Sequence, residues 1–120
     1  MNVAIIGAGA AGLMAASFIK DENKIHIFDH NEKIGKKLFI TGKGRCNVTN
    51  SCDIQELIEN INTNKYFCYS PFYDFTNEQV INFFNSNGLR TKVERGNRVF
   101  PQSDKSSDVI KVFEKICTAY

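Results

Sequence analysis

Two glycine-containing stretches of this 120-residue sequence have residue types that could bind a phosphate or a cofactor. The first, GAGAAG, runs from Gly7 to Gly12 and has the spacing G-x-G-x-x-G. The second, TGKGRCNVTN, runs from Thr41 to Asn50 and combines two glycines and two cations with a cysteine and small polar residues. It has no helical or strand periodicity, and a linker would explain its glycines but not its Arg-Cys-Asn centre.

The elements around the first stretch are those that a dinucleotide-binding turn needs. VAII, from Val3 to Ile6, is a short apolar run typical of a buried parallel strand. The segment from Ala10 to Lys20 is rich in helix formers, and KIHIF (24–28) alternates like a second strand. The pattern predicts a β-α-β unit of about 30 residues in which the glycines open the helix, and this context makes the motif specific.

The spacing gives each glycine a separate task. Gly7 allows a tight turn, Gly9 lets a pyrophosphate approach the backbone, and Gly12 lets the helix pack closely on the sheet. The N–H groups of the first helical turn, including those of Ala10 and Ala11, would face the phosphate charge.

Asp29 follows the second strand, 17 residues after Gly12 and close to the offset of about 20 at which an acidic residue binds ribose. Its carboxylate would accept hydrogen bonds from the adenosine ribose and would disfavour a 2′-phosphate. The unit therefore predicts FAD or NAD rather than NADP, and by itself leaves the choice between FAD and NAD open. The alternative is that the glycines are ordinary turn residues and Asp29 is a solvated strand end.

The remaining sequence predicts an irregular region, three helices and a hairpin. Capping-box patterns pair Asp53 with Glu56 and Thr76 with Gln79. The predicted elements are an irregular segment over 35–50, a helix over about 53–61, a helix from Thr76 to just before Gly88, a hairpin turning at Gly96-Asn97 and ended by Pro101, and a last helix capped by Ser106 or Ser107 with Val109, Ile110, Phe113, Ile116 and Cys117 on its inner face.

Composition limits the classes of function. The net charge of +2 is too small to argue for nucleic-acid binding, and the chain length suits one domain. The apolar start lacks the cationic region of a signal peptide, and no run is long enough to span a membrane, so we expect a cytoplasmic protein. The four cysteines and two histidines have no zinc-binding spacing, so we expect free thiols and no metal.

Two further blocks resemble one known family. GKKLFITGKGRCNVTN, from Gly35 to Asn50, resembles a block of the HI0933-like bacterial flavoproteins, NAD(P)/FAD-dependent oxidoreductases that include aminoacetone oxidases and bile-acid reductases. ERGNRVFPQSDKSSDVI, from Glu94 to Ile110, resembles a second block of the same family. The resemblance implies an α/β, Rossmann-like FAD/NAD(P)-binding domain with a parallel sheet, helices and a β-hairpin.

The resemblance also implies FAD as the cofactor and gives the second stretch a role. Lys37 would lie near the adenosine or ribose, and the stretch would wrap the flavin-proximal part of FAD. Arg45 would offset pyrophosphate charge or stabilise a reduced, anionic flavin. The implied contact residues in the stretch are Thr41, Gly42, Gly44, Arg45, Cys46, Asn47 and Thr49, with Asn50 as a further hydrogen-bonding group. Three positions depart from the family pattern: this chain has Lys43, Asp29 and Ser106 where the family commonly has Gly, Glu and Ala.

Simpler interpretations stand beside these. Cys46 has no C-x-x-C partner, so a small buried residue is favoured over a redox thiol. The basic cluster of Lys36, Lys37, Lys43 and Arg45 is either a solvated loop or a phosphate contact. The aromatic belt, consisting of Tyr66, Phe67, Tyr69, Phe72, Tyr73 and Phe75, is expected to fill a core or an inter-domain contact.

Members of the family are several times longer than this chain. We therefore expect residues 1–120 to be the N-terminal part of a Rossmann-type FAD-binding domain, with no complete active site and with the catalytic residues unidentified. The expected function is the FAD-binding portion of an NAD(P)H-linked, flavin-dependent oxidoreductase acting on a small molecule, without nucleic acid or membrane. The alternatives are a flavoprotein of RNA modification and a fragment without activity of its own.

Overall fold

The computed structural model describes residues 1–19 and 21–117, which form two compact units. One unit is Met1–Cys46 together with the chain from Asp104 onward, and the other is Asn47–Ser103. The strands are β1 (Asn2–Ile6), β2 (Lys24–Phe28), β3 (Thr49–Asn50), β4 (Thr91–Glu94) and β5 (Arg98–Pro101). The helices are α1 (Ala10–Ser17), α2 (Lys36–Ile40), α3 (Ile54–Glu59), α4 (Tyr69–Asp74), α5 (Asn77–Ser86) and α6 (Ser106–Cys117). No helix among the described residues is long and apolar enough to cross a membrane.

The first unit is built on the predicted β-α-β arrangement. β1 and β2 are parallel, with Val3 opposite Ile25 and Ile5 opposite Ile27. These four side chains point to one face because alternate residues of a strand share a face. The α/β class with a parallel sheet is therefore confirmed, and the bounds of β2 agree with the prediction.

The core of the first unit lies where α1 and α6 meet. Leu13 and Ala16 of α1 and Val109 and Phe113 of α6 are all at most 2% exposed. Full burial of a large apolar side chain contributes about 1.5–3 kcal/mol. Of the predicted inner face of α6, Val109, Ile110 and Phe113 are buried and Ile116 and Cys117 are half-buried, while Val112 is buried without having been predicted.

Two predictions for the first unit need correction. The helix predicted to reach Lys20 ends at Ser17, with Phe18 as its C-cap, and Lys20 itself lies outside the described residues. The segment predicted to be irregular contains α2, which follows Gly35 in a left-handed conformation with φ of 67°. A five-residue helix is too short to show a 3.6-residue apolar period, so the sequence pattern missed it.

The second unit contains an antiparallel sheet in the order β3-β5-β4. β4 and β5 form the predicted hairpin, in which Glu94 pairs with Arg98 and Thr91 with Pro101. β3 extends the sheet by two residues from the TGKGRCNVTN stretch, paired with Val99 and Arg98. The pairing of β3 was not predicted, because a two-residue strand has no alternation to detect.

The two predicted capping boxes have different outcomes. At the start of α5, Gln79 N donates to Thr76 Oγ1 at 3.2 Å and Thr76 N donates to Gln79 Oε1 at 2.8 Å. At the start of α3, Asp53 is the N-cap residue but its side chain makes no capping hydrogen bond. The second box is confirmed and the first is wrong, although the helix that it introduced is present.

The aromatic belt does not enter the core of the described chain. Tyr66 is 76% exposed, Phe67 85% and Tyr73 46%. Tyr69 stacks between Tyr66 and Tyr73 with ring-centroid distances of 5.9 and 5.8 Å. The core alternative is wrong for the exposed rings, because residues at positions 66, 69 and 73 form a ladder along one outer face. The alternative of an inter-domain contact stays a prediction.

Candidate functional site

The glycine turn connects the ends of both parallel strands. Gly7 follows β1 with φ of 101°, a left-handed conformation that suits glycine. Its backbone N–H donates to the carbonyl oxygen of Phe28, the last residue of β2, at 2.7 Å. The turn and the strand end that precedes Asp29 are therefore joined directly, as the dinucleotide-binding motif requires.

Gly9 and Gly12 are glycines for different physical reasons. A Cβ atom on Gly12 would overlap the carbonyl oxygen of Gly7 and would lie 3.2 Å from Cγ2 of Ile5. A Cβ atom on Gly9 would meet no protein atom within 4 Å. Packing within the protein therefore explains Gly12 but not Gly9, and open space beside Gly9 is what a bound pyrophosphate would need.

The start of α1 presents backbone donors to this space. Gly9 is its N-cap residue, and no side chain caps the helix there. The first N–H groups of an α-helix have no partner within the helix, and its positive end attracts anions. Ala10 and Ala11 are exposed at this position, so their backbone is accessible to a ligand.

Asp29 lies just beyond β2 with its side chain 17% exposed. Asn31 Nδ2 donates to Asp29 Oδ2 at 3.5 Å, and His30 Nδ1 lies 3.6 Å from Asp29 Oδ1. Lys36 Nζ donates in turn to Asn31 Oδ1 at 3.5 Å. The sequence analysis gave Asn31 no role. Its amide lies two residues after Asp29, and this short spacing could have indicated a hydrogen bond between the two side chains.

A groove of about 790 Å³ is lined by residues that follow Asp29 in the chain, although Asp29 itself is not one of them. His30, Asn31 and Lys36 line one part of it, while Phe39 and Ile110 give it apolar surface. Both kinds of lining suit a nucleoside, which has a flat apolar base and polar ribose edges. Lys37, predicted to lie near the adenosine, is exposed on α2 but is not among the residues that line the groove.

The beginning of α2 is fastened to the glycine turn. Gly35 N donates to the carbonyl oxygen of Ala8 at 2.8 Å. A Cβ atom on Gly35 would lie 3.1 Å from Cγ1 of Ile110, so α6 packs tightly against this point. The glycine turn, the end of β2 and the start of α2 therefore meet within one unit.

The loop Thr41–Cys46 has an unusual backbone. Gly42, Lys43, Gly44 and Cys46 all have positive φ, at 56°, 57°, 86° and 61°. Such values are uncommon for residues with a Cβ atom, and they occur often at ligand-binding sites. A Cβ atom on Gly44 would meet nothing within 4 Å, so the loop leaves space there too.

Cys46 is a structural residue of this loop. It is 1% exposed, and its N–H donates to the carbonyl oxygen of Thr41 at 3.1 Å. Burial raises the pKa of its thiol, with a smaller opposing effect from a hydrogen bond to Thr41. A buried thiol with a raised pKa is a weak nucleophile, so the structure supports the non-catalytic interpretation.

Arg45 makes a contact that its sequence position did not suggest. Its Nε donates to Asp104 Oδ1 at 2.8 Å, and its Nη2 lies 2.7 Å from the same oxygen. Asp104 and the neighbouring Ser106 both belong to the second block, but sequence reasoning gave Asp104 no role. Lys36, Lys37 and Lys43 are exposed, which leaves the choice between solvated loop and phosphate contact open.

The remainder of the stretch belongs to the second unit. Val48 N donates to Val99 O at 3.0 Å, and the amide of Asn47, once oriented to suit its neighbours, donates to Val99 O and Thr49 O at 3.1 and 2.8 Å. The buried amide of Asn77 donates to the carbonyl oxygens of Asn50 and Cys52 at 2.6 and 2.7 Å. The roles predicted for Asn47 and Thr49 toward a cofactor stay predictions.

The first unit as a whole has the groups that a dinucleotide needs. It has an uncapped helix start for the pyrophosphate, space beside Gly9, a carboxylate at the end of the second strand, and a groove lined by His30 and Asn31, which follow that carboxylate. No ionisable side chain of the described residues is placed there in a way that identifies it as a catalytic acid or base.

Curated proteins with similar sequences have two kinds of named activity. The chain is 35% identical to a 3-dehydro-bile acid delta(4,6)-reductase of Clostridium scindens over 94% of its own length. It is 29% identical to a ribosomal RNA dihydrouridine synthase of Haemophilus influenzae over 97% of its length, and 34% identical to one of Escherichia coli over 71%. It covers 28%, 28% and 21% of these relatives, which is less than a third of each.

The family comparison agrees with the three sequence blocks and with the glycine turn. The model of the HI0933-like protein Rossmann domain matches residues 1–120. The chain therefore belongs to the HI0933-like family, as its Rossmann domain.

Proposed function

We propose that this chain is the FAD-binding portion of a flavin-dependent oxidoreductase that takes electrons from a reduced nicotinamide. The observation that carries the proposal is the glycine turn, where Gly9 leaves open space at the start of α1 and Gly7 is bonded to the end of β2. A reductase among the similar proteins supports the oxidoreductase class. The choice of FAD over NAD rests on the resemblance of the second stretch to the flavoprotein blocks.

In this proposal the backbone and a few side chains do the binding. Gly7, Gly9, Ala10, Ala11 and Gly12 form the surface for the pyrophosphate, where N–H groups and the helix dipole stabilise negative charge. Asp29 accepts hydrogen bonds from the ribose, with Lys37 on the adenosine side. The flavin-proximal residues are Thr41, Gly42, Gly44, Arg45 and Cys46, and in the second unit Asn47 and Thr49. FAD, when bound, supplies the redox chemistry, and these residues orient it and adjust its electrostatic environment.

A titration of the chain with FAD, followed by flavin fluorescence, tests the proposal. We expect saturable binding of FAD and no comparable binding of NAD under the same conditions. Binding of NAD alone would contradict the flavin assignment. A chain that is folded by circular dichroism and binds neither dinucleotide would contradict the proposed cofactor-binding role.

Replacement of Asp29 tests the ribose contact. We expect Asp29→Ala to weaken FAD binding by about 1.5–3 kcal/mol, because a hydrogen bond to a charged group is lost. Isothermal titration calorimetry measures the change, with Asp21→Ala as the control because Asp21 is an exposed acid in the turn before β2. Equal affinities of the Asp29 and Asp21 variants would remove Asp29 from the site.

A second candidate, an enzyme that modifies RNA, has support from two similar proteins named ribosomal RNA dihydrouridine synthases. The tyrosine ladder of the second unit favours it, because exposed rings stack on unpaired bases. Lys65 Nζ, 5.6 Å from the centre of the Tyr66 ring, adds a positive charge there. Tyrosine emission in the presence of poly(U) is a direct test because the chain has no tryptophan.

The expected result for the RNA candidate is salt-sensitive quenching that disappears in the Tyr66→Ala variant. Phe72→Ala is the control because its ring lies in the same segment but outside the stacked tyrosines. No quenching at low salt would contradict the RNA candidate and would agree with the expectation of no nucleic-acid partner.

A further inference from the structure

The ion pair between Arg45 and Asp104 joins two segments that are far apart in the sequence. The two residues are separated by 59 positions, and both contacts of the guanidinium are made to one carboxylate oxygen. Arg45 belongs to the first family-like block and Asp104 to the second. The two side chains are 32% and 41% exposed, and their charge-assisted contacts link the guanidinium to the segment just before α6.

Two other contacts join the same segments. The hydroxyl of Ser106, 2% exposed, donates to the carbonyl oxygen of Phe39 at 2.7 Å. Ile110 packs against Gly35, where a Cβ atom would lie 3.1 Å from its Cγ1 atom. Asp104 and the beginning of α6 therefore contact this segment at residues 35, 39 and 45, immediately before and within the loop Thr41–Cys46.

That loop needs external support to keep its conformation. Lys43 and Cys46 both have a Cβ atom and both have positive φ. A non-glycine residue in the left-handed region is strained and persists only where the surrounding structure holds it there. Asp104 also has positive φ, at 61°, whereas Arg45 itself has φ of −95° and lies between the strained residues Lys43 and Cys46.

We propose that Asp104 is a positioning residue, which holds Arg45 and the loop Thr41–Cys46 in the conformation that receives the cofactor. Asp104 itself does not contact the cofactor; its effect passes through Arg45. The support that Asp104 gives to the loop is inferred from contacts within the first unit alone. Its influence on cofactor binding rests on the proposed FAD-binding function. Two measurements separate these parts.

The first measurement needs no cofactor and follows alkylation of Cys46. The variants carry Cys52→Ser, Cys68→Ser and Cys117→Ser, so that the buried Cys46 is the one remaining thiol. Asp104→Asn should raise the labelling rate by about threefold, because loss of this partly exposed charged pair lets the loop open more often. Asp108→Asn is the matched control, since Asp108 is an acid in the first turn of α6, four residues after Asp104, and its Oδ1 lies 3.6 Å from Nζ of Lys111. Equal rates in the two variants would overturn the proposal.

The second measurement is the FAD affinity of Asp104→Asn and Asp108→Asn, each made once in the wild-type chain and once in an Arg45→Met variant. We expect Asp104→Asn to weaken FAD binding by about threefold in the wild-type chain and to have no further effect in an Arg45→Met background. Asp108→Asn should leave the affinity unchanged in both backgrounds. An equal loss with and without Arg45 would contradict an action through Arg45. If the wild-type chain binds no FAD, the proposed function fails, and the labelling rates still decide whether Asp104 holds the loop.

Discussion

We expect Gly9→Val to abolish FAD binding and to leave the chain folded. The protein itself has room for the new side chain, because a Cβ atom on Gly9 meets no protein atom within 4 Å. The same space is the proposed location of the pyrophosphate, which needs close approach to the backbone at the start of α1. The branched side chain would occupy that space, so the loss of binding is steric and does not depend on unfolding.

The measurement for Gly9→Val is the flavin-fluorescence titration, together with circular dichroism and a urea unfolding curve to establish that the fold is kept. Ala15→Val is the matched control, because it places the same side chain at an exposed position of α1 away from its start. We expect the control to bind FAD with the wild-type affinity. Retention of FAD binding by Gly9→Val would place the pyrophosphate elsewhere and would remove the glycine turn from the site.

The parts of the structure that the sequence predicted well are those with local causes. β2 alternates over five residues, and its bounds are as predicted. The capping box of Thr76 and Gln79 and the hairpin turn at Gly96-Asn97 depend on neighbours within four residues. The G-x-G-x-x-G spacing combines two requirements, a left-handed turn at Gly7 and close packing at Gly12, and the structure shows both.

The parts that were missed depend on contacts between distant residues. The Arg45–Asp104 pair spans 59 positions and the Ser106–Phe39 hydrogen bond spans 67. Nothing in the local sequence of either partner indicates such a contact. The resemblance of residues 94–110 to a second family block gave no physical reason for the residues found there. The structure gives a reason, because Asp104 and Ser106 of that block bind Arg45 and Phe39 of the first block.

The tyrosine ladder shows a different limit. Aromatic residues were expected in a core or an inter-domain contact because burial of large rings is the usual outcome. At positions 66, 69 and 73 the rings instead stack on one another, and Tyr73 Oη donates to Gln55 Oε1 at 2.8 Å. Composition indicates how much aromatic surface a chain has, but the direction of each ring depends on a short 3-10 helix (Lys65–Cys68) and on α4, neither of which the sequence pattern predicted.

We expect Gly12→Ala to destabilise the first unit more than a Gly→Ala substitution at any other position of the glycine turn. The added Cβ atom would overlap the carbonyl oxygen of Gly7 and would lie 3.1 Å from its carbonyl carbon. Both are backbone atoms, so no side-chain rotation relieves the overlap and α1 must move away from β1. We expect the free energy of unfolding to fall by about 3 kcal/mol, the upper part of the usual range for overpacking.

Urea unfolding followed by circular dichroism measures this change, and Gly9→Ala is the matched control, because its Cβ atom meets no protein atom. The control should lose less than about 1 kcal/mol, an effect of its N-cap position alone. Gly12→Ala as stable as Gly9→Ala would show that α1 and β1 are not packed as closely as described. Together with Gly9→Val, the pair separates the two functions of the motif: Gly12 is needed for the fold that presents the turn, and Gly9 for the space into which the cofactor binds.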